Sequence, residues 1–222
     1  EIVRADTSLG GADWLEREGV GAHITLDQPF LLVSQHPVTT EYGEGERQIN
    51  ETLMALHELQ MPTIMLWPNA DAGSEDISRG MRKFREQYRP DYIRFYKNFP
   101  IETYVRLMLT CACAIGNSSA PLREGAFIGV PTVNIGTRQQ GRDRAANVMD
   151  VGGDRHAIVE AVRRQVLTAD RDRQALADEI TGMRAKVRAS SVLPLPVGPM
   201  SRMLLLSISM SPPPSCPSAS RL

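Results

Sequence analysis

Residues 115–126 read Ile-Gly-Asn-Ser-Ser-Ala-Pro-Leu-Arg-Glu-Gly-Ala, and this stretch decides the fold. An apolar run over residues 112–115 leads into it, and Gly116 and Asn117 interrupt that run. Pro121 then stands where a first helical turn is expected, a position that proline favours. The order predicts a strand, a tight turn and a helix.

The predicted helix start is a candidate phosphate site. Its first backbone N–H groups are unpaired and it carries the positive end of the helix dipole. The hydroxyls of Ser118 and Ser119 add donors, and Glu124 lies about one turn into the helix on the same side, where a carboxylate can accept from a sugar hydroxyl. The same spacing also fits an ordinary strand-to-helix turn with a serine N-cap, so both interpretations stay open.

Apolar runs and helical patterns alternate along the rest of the chain. The predicted strands cover residues 30–34, 63–67, 91–96, 112–115, 132–135 and 147–151. The predicted helices cover residues 45–59, 74–88, 101–109, 124–128, 154–167 and 170–188. Because the strand runs are continuous rather than alternating, they suit strands buried on both faces. The alternation predicts right-handed crossovers and a Rossmann-like α/β fold with a doubly wound parallel sheet.

Polar residues follow four of these strands, at the edge where such sheets bind ligands. His36 can donate to a phosphate oxygen or move a proton near neutral pH, although it also fits a plain strand end. Arg138 can hold a phosphate or carboxylate with its guanidinium fork, or it is simply solvated. Asn69 with Asp71, and the loop from Asn117, complete a set of four loops that we expect to converge on one crevice.

Composition excludes several classes of protein. With 222 residues and a formal net charge of -1, the chain gives no electrostatic case for nucleic acid or an anionic membrane as a partner. The Cys111-x-Cys113 pair lies in an apolar segment, which favours buried core over a metal site. No signal sequence and no run of about 18 apolar residues is present, so we expect a cytoplasmic location. Because zinc spacings, G-x-G-x-x-G and Walker A sequences are absent, no metal and no cofactor is expected.

The chain divides into three segments. Residues 1–27 are punctuated by glycine and predict an interdomain connector, and residues 28–190 hold the predicted sheet and helices. Residues 191–222 are rich in proline and serine, which predicts a tail that is disordered or the artefact of a frame-shifted translation. Since the sequence begins at Glu1 without a methionine, we expect it to be a fragment of a longer protein.

Four motifs in order resemble those of UDP-N-acetylglucosamine 2-epimerases, over about residues 25–168. They are Gln35-His36-Pro37-Val38-Thr39-Thr40, Pro68-Asn69-Ala70-Asp71-Ala72-Gly73-Ser74, Ile115-Gly116-Asn117-Ser118-Ser119 with Arg123-Glu124, and Asn134-Ile135-Gly136-Thr137-Arg138-Gln139-x-Gly141-Arg142. The last motif looks like the hydrolysing branch, which makes free N-acetylmannosamine and UDP.

The resemblance implies the carboxyl-terminal half of a two-domain GT-B enzyme that binds a UDP-sugar and forms a homodimer at full length. In this family, proton abstraction at C2 and anti-elimination of UDP give a 2-acetamidoglucal, to which the hydrolysing branch adds water. The resemblance assigns Ser118 and Ser119 to the diphosphate, Glu124 to the ribose hydroxyls and Asn69 to the wall of the cleft. It places His36 and Arg138 against the phosphates and the departing UDP, with His36 as the catalytic residue of this half.

The resemblance implies that the residues that move the C2 proton belong to the family's amino-terminal domain, and we expect these 222 residues to lack that domain. We therefore expect the chain alone to bind UDP weakly and not to turn over. Three alternatives remain: the nucleotide-binding half of a GT-B glycosyltransferase, a non-hydrolysing epimerase that gives UDP-N-acetylmannosamine, and a flavodoxin-like or receiver-like binding module. The last predicts a cluster of acids at the first strand end, where this chain has His36.

Overall fold

Seven strands form one sheet in the computed structural model, which describes residues 18–191 without the side chains of residues 173, 176, 177, 180, 182 and 184–191. The strands are β1 (Val20–Gly21), β2 (Leu31–Ser34), β3 (Thr63–Leu66), β4 (Ile93–Tyr96), β5 (Cys113–Gly116), β6 (Thr132–Ile135) and β7 (Val148–Val151). Their order across the sheet is β1-β4-β3-β2-β5-β6-β7. The chain therefore reverses its winding direction beside β2, which is the point where such sheets open a crevice.

All neighbouring strands from β4 to β7 pair in parallel, which confirms the predicted doubly wound α/β sheet. The strand β1 pairs antiparallel with β4 and was not predicted, since it falls in the segment assigned to a connector. Two exposed residues, one of them Gly21, carry no strand periodicity that a sequence could reveal.

Five helices connect the strands or follow them within the described residues: α1 (Gly45–Leu59), α2 (Ser74–Tyr88), α3 (Ile101–Thr110), α4 (Ala120–Ile128) and α5 (Arg155–Ser191). The prediction of two helices over 154–167 and 170–188 was wrong, because one helix covers both. The intervening residues 168–169 include neither glycine nor proline, so nothing in the backbone ends the helix there. From Leu176 the chain belongs to a second unit, Leu176–Leu222, which is helical as far as it is described.

Both faces of the sheet are buried. Leu31 and Val33 of β2 belong to one apolar cluster with Leu53 of α1. Leu32, between them, belongs to a second cluster with Leu107 of α3. Successive side chains of a strand point to opposite faces, so a strand covered on both sides needs the continuous apolar run that the sequence shows.

The turn after β5 depends on Gly116. Its φ is +128°, and a Cβ added there would lie 2.1 Å from the carbonyl oxygen of Ser34. The missing side chain lets the ends of β2 and β5 approach, and the N–H of Asn117 donates to that oxygen over 3.1 Å. The Gly-Asn step therefore places the start of α4 directly beside the end of β2.

Residues 1–17 and 192–222 lie outside the described part of the chain. The tail expected at 191–222 and most of the connector expected at 1–27 therefore stay predictions. No helix among residues 18–191 combines the length and the apolar character needed to cross a membrane.

Candidate functional site

The loops after β2, β3, β5 and β6 meet at the carboxyl edge of the sheet, because these strands are parallel neighbours in the order β3-β2-β5-β6. Hydrogen bonds join His36, Asn69, Asn117 and Arg138 into one network. The expected convergence of the four loops is therefore present in the structure.

His36 is the buried centre of this network, with 5% of its surface exposed. Its Nδ1 lies 3.3 Å from the backbone N–H of Asn69, and its Nε2 lies 3.2 Å from the hydroxyl of Ser34. Because a backbone N–H can only donate, the network assigns Nδ1 as an acceptor and places the proton of the neutral ring on Nε2.

The surroundings of His36 keep the imidazole neutral. Burial and the positive charge of Arg138 lower its pKa from 6.5 to about 4, and the carboxylate of Asp71 opposes that change. At neutral pH the ring therefore offers one N–H donor without a positive charge.

Arg138 is held over the same edge but keeps part of its guanidinium accessible. One nitrogen donates to the carbonyl oxygen of Asn117 over 3.2 Å, and another lies 3.5 Å from Oδ2 of Asp71. The side chains of Arg138 and Asp71 are 29% and 41% exposed, so this ion pair contributes less than about 1 kcal/mol to stability. A stronger anion can therefore displace Asp71 from Arg138.

Ser118 and Ser119 lie at the start of α4, as predicted. Ser119 is the N-cap residue, but its side chain makes no capping hydrogen bond, and its backbone oxygen accepts from the N–H of Arg123 over 3.0 Å. A serine therefore stands at the N-cap, as the alternative interpretation expected, but its hydroxyl is not used in a capping hydrogen bond. Both serines remain partly accessible beside the helix start.

A cavity of about 240 Å³ opens between the helix start and the end of β3. Its lining includes His36, Asn69, Ser118 and Tyr104. Burial raises the pKa of Tyr104 to about 12, so its phenol stays protonated at neutral pH. Tyr104 was missed by the sequence reasoning because its position on α3 reads as an ordinary core-facing residue.

A second cavity, of about 470 Å³, is lined by Asp71, Thr137 and Arg138 among others. Glu124 lines neither of these two cavities and is exposed on α4. Of the six predicted site residues, the structure therefore brings five to the carboxyl edge near one another and leaves Glu124 further along its helix.

Gln139 is a buried member of the network that the sequence reasoning did not select. Its amide donates to the carbonyl oxygen of Asn117 over 2.7 Å, and its Oε1 has no hydrogen-bond partner among the described residues. The only signal in the sequence was its place after Arg138 in the last motif. Both Cys111 and Cys113 are buried, as predicted, and no group of three or more metal-ligating side chains occurs within residues 18–191.

Comparison with known proteins adds a family. The model of the family described as UDP-N-acetylglucosamine 2-epimerase matches residues 8–187. The chain is 34% identical over 140 residues to the polysialic acid biosynthesis protein P7 of Escherichia coli. The aligned residues cover 62% of this chain and 35% of that protein. It is 26% identical over 149 residues to the GDP/UDP-N,N'-diacetylbacillosamine 2-epimerase (hydrolyzing) of Campylobacter jejuni, covering 66% and 38%.

Among solved structures, the ADP-heptose lipopolysaccharide heptosyltransferase II of Escherichia coli superposes with a TM-score of 0.50 at 11% identity, over 66% of this chain and 49% of that one. At that identity the likeness concerns the fold alone. The chain spans little more than a third of the length of the two curated relatives.

Proposed function

The chain belongs to the UDP-N-acetylglucosamine 2-epimerase family, and we propose that its carboxyl edge binds the UDP part of a UDP-N-acetylhexosamine and stabilises UDP as it leaves. The observation that carries the proposal is the pairing of a neutral N–H donor, His36, with a partly accessible cation, Arg138, beside an uncapped helix start. These are preorganised donors, which suit a leaving group that gains negative charge.

In the proposed complex the diphosphate lies between the start of α4 and the guanidinium of Arg138. The hydroxyls of Ser118 and Ser119 donate to its oxygens, and Arg138 exchanges Asp71 for phosphate. His36 exchanges the hydroxyl of Ser34 for the bridging or β-phosphate oxygen and donates to that oxygen from Nε2 while the C1–O bond breaks. Each such donor contributes typically a few kcal/mol to stabilising the transition state.

Asn69 lines the cleft on the side of β3, and Glu124 accepts from the ribose hydroxyls. The side chain of Glu124 is exposed and lines neither cavity. The Glu124 assignment requires the ribose to extend along the outer surface of α4.

We further propose the hydrolysing outcome, in which water adds to the 2-acetamidoglucal and free N-acetylmannosamine is released. The hydrolysing relative from Campylobacter jejuni and the Gly-Thr-Arg-Gln-x-Gly-Arg motif support it. A homodimer and a cytoplasmic location belong to the same proposal by family resemblance. We propose that abstraction of the C2 proton belongs to residues other than the six predicted site residues.

Product analysis tests the function. The chain is incubated in D2O with UDP-N-acetylglucosamine or with UDP-N,N'-diacetylbacillosamine, alone and joined to the amino-terminal half of the Campylobacter jejuni relative, and the products are followed by NMR. We expect no turnover by the chain alone, and UDP with free C2-deuterated sugar from the joined protein. Release of an intact epimerised UDP-sugar would favour the non-hydrolysing alternative, and transfer that needs an added acceptor would favour a glycosyltransferase. A folded, UDP-binding joined protein that forms no product contradicts the assignment to an epimerase.

A further inference from the structure

Asn117 connects the proposed binding groups to one another, and we propose that it is a positioning residue for the UDP site. Its side chain fixes the backbone of His36, and its main-chain carbonyl holds Arg138 and Gln139. The role of Asn117 in UDP binding rests on the proposed function, whereas its hydrogen bonds to these residues do not.

The side chain of Asn117 forms hydrogen bonds with both backbone groups of His36, its N–H and its carbonyl oxygen. The N–H of His36 donates to Oδ1 of Asn117 over 2.7 Å, and Nδ2 of Asn117 donates to the carbonyl oxygen of His36 over 2.8 Å. Asn117 is 1% exposed, so removal of its amide leaves the N–H and the carbonyl oxygen of His36 without these two partners in a buried place. The pair of bonds sets the direction in which His36 leaves β2.

The main chain of Asn117 faces the opposite loop. Its carbonyl oxygen accepts from Arg138 over 3.2 Å and from the amide of Gln139 over 2.7 Å. Its own N–H donates to the carbonyl oxygen of Ser34 over 3.1 Å. A displacement of Asn117 would therefore move His36 and release Arg138 together.

The amide is chemically required at this position. The two groups of His36 need one acceptor and one donor, and asparagine supplies both in a single plane. An aspartate of the same shape would place a carboxylate oxygen against the carbonyl oxygen of His36. The geometry therefore selects asparagine over its closest isostere.

Three variants of the 222-residue chain test the inference: Asn117→Ala, Asn117→Asp and Asn134→Ala as the matched control. Asn134 is also fully buried, on the neighbouring strand β6, where its amide donates to Asp150 over 2.6 Å. The readouts are the pKa and tautomer of the His36 ring by ¹⁵N NMR, the Kd for UDP, and the Tm.

We expect Asn117→Ala to raise the pKa of His36 by about one unit or more towards 6.5, as the ring loses its buried position. The affinity for UDP should fall about tenfold or more. Asn117→Asp should lose UDP affinity although it keeps the side-chain shape, and it decides the matter if Asn117→Ala does not fold. Asn134→Ala should lower the Tm with no effect on His36 or UDP.

Two results would overturn the inference. One is a folded Asn117 variant whose His36 pKa, tautomer and UDP affinity match those of the wild type. The other is an equal change in Asn134→Ala, which would show a general response to the loss of a buried amide. If the wild-type chain itself binds no UDP, the proposed function fails, and the His36 signals still decide whether Asn117 positions that residue.

Discussion

The charge on His36 depends on three influences, its burial and two charged neighbours, which do not all act in the same direction. Burial and Arg138 disfavour the imidazolium ion, and Asp71 favours it. A diphosphate bound beside Arg138 would add negative charge near His36, and this charge would favour the imidazolium ion as Asp71 does. Binding of an anion should therefore couple to the proton affinity of this single residue.

We predict that UDP raises the pKa of His36 from its value of about 4. The physical reason is that the phosphate charges stabilise the imidazolium and offset Arg138. Histidine Cε1–H shifts, followed against pH with and without saturating UDP, measure the change. Uridine, which lacks phosphate, serves as the control and should leave the pKa unchanged; an unchanged pKa with bound UDP would place the diphosphate elsewhere.

Asp71→Asn should tighten UDP binding by roughly threefold to tenfold, because the carboxylate competes with phosphate for Arg138 and repels it. Calorimetric titration measures the effect. Asp143→Asn changes the net charge equally, on an exposed part of the loop after β6, and should alter the affinity much less. Weaker binding by Asp71→Asn would mean that the carboxylate helps to hold the ligand.

The stability of the fold should depend on pH through His36. Because its folded pKa of about 4 lies below 6.5, the unfolded chain binds more protons between these values. The contribution of His36 is complete above pH 6.5 and is lost as the pH falls towards 4, by at most about 3 kcal/mol. Urea unfolding of the wild type and of His36→Gln across this range measures the difference, and parallel pH profiles would contradict the low pKa.

Among the elements, the turn between β5 and α4 carries the strongest constraint on the backbone. Gly116→Ala should destabilise the fold by at least about 3 kcal/mol, since its Cβ meets the Ser34 carbonyl at a φ of +128°. The control is Gly129→Ala, whose φ is +76° with no neighbouring atom within 4 Å of the added Cβ, and which should cost about 1 kcal/mol. Equal losses in urea unfolding would mean that the close approach of β2 and β5 does not matter.

The strand ends were predictable from the sequence because buried parallel strands have a distinct signature. The run at 30–34 and the Pro37 that follows located His36, and similar breaks located Asn69 and Arg138. The strand β1 was missed because two exposed residues show no period, and the helix α5 was wrongly divided in two at residues 168–169. Local pattern thus located the buried strands and missed a strand of two exposed residues.

The roles of Asn117 and Gln139 could not be predicted for a different reason. Each makes its contacts with residues from another loop, such as the bonds from Asn117 to His36 across 81 positions of sequence. The neighbouring sequence does not distinguish an asparagine that binds the backbone of a distant residue from one that only begins a turn. Only the register of β2 with β5, which pairs Ser34 with Gly116, brings the two loops together.

At the scale of the whole molecule, the described domain supports the proposed binding of a UDP-sugar and not the complete reaction. It offers donors and a cation for a leaving diphosphate, and its six proposed site residues all lie on loops or a helix of one sheet. The chain spans little more than a third of the length of the two curated relatives, so the activity of the whole protein stays a proposal.

Titration of the ¹⁵N-labelled 222-residue chain with UDP tests the central claim most directly. We expect saturable shifts by about 1 mM UDP, concentrated in His36, in residues 117–120 and in the loop of Arg138. Ser118→Ala with Ser119→Ala should weaken the affinity without moving the site. The absence of saturable shifts, or shifts centred on the opposite, amino-terminal edge of the sheet, would contradict a UDP site at the carboxyl edge.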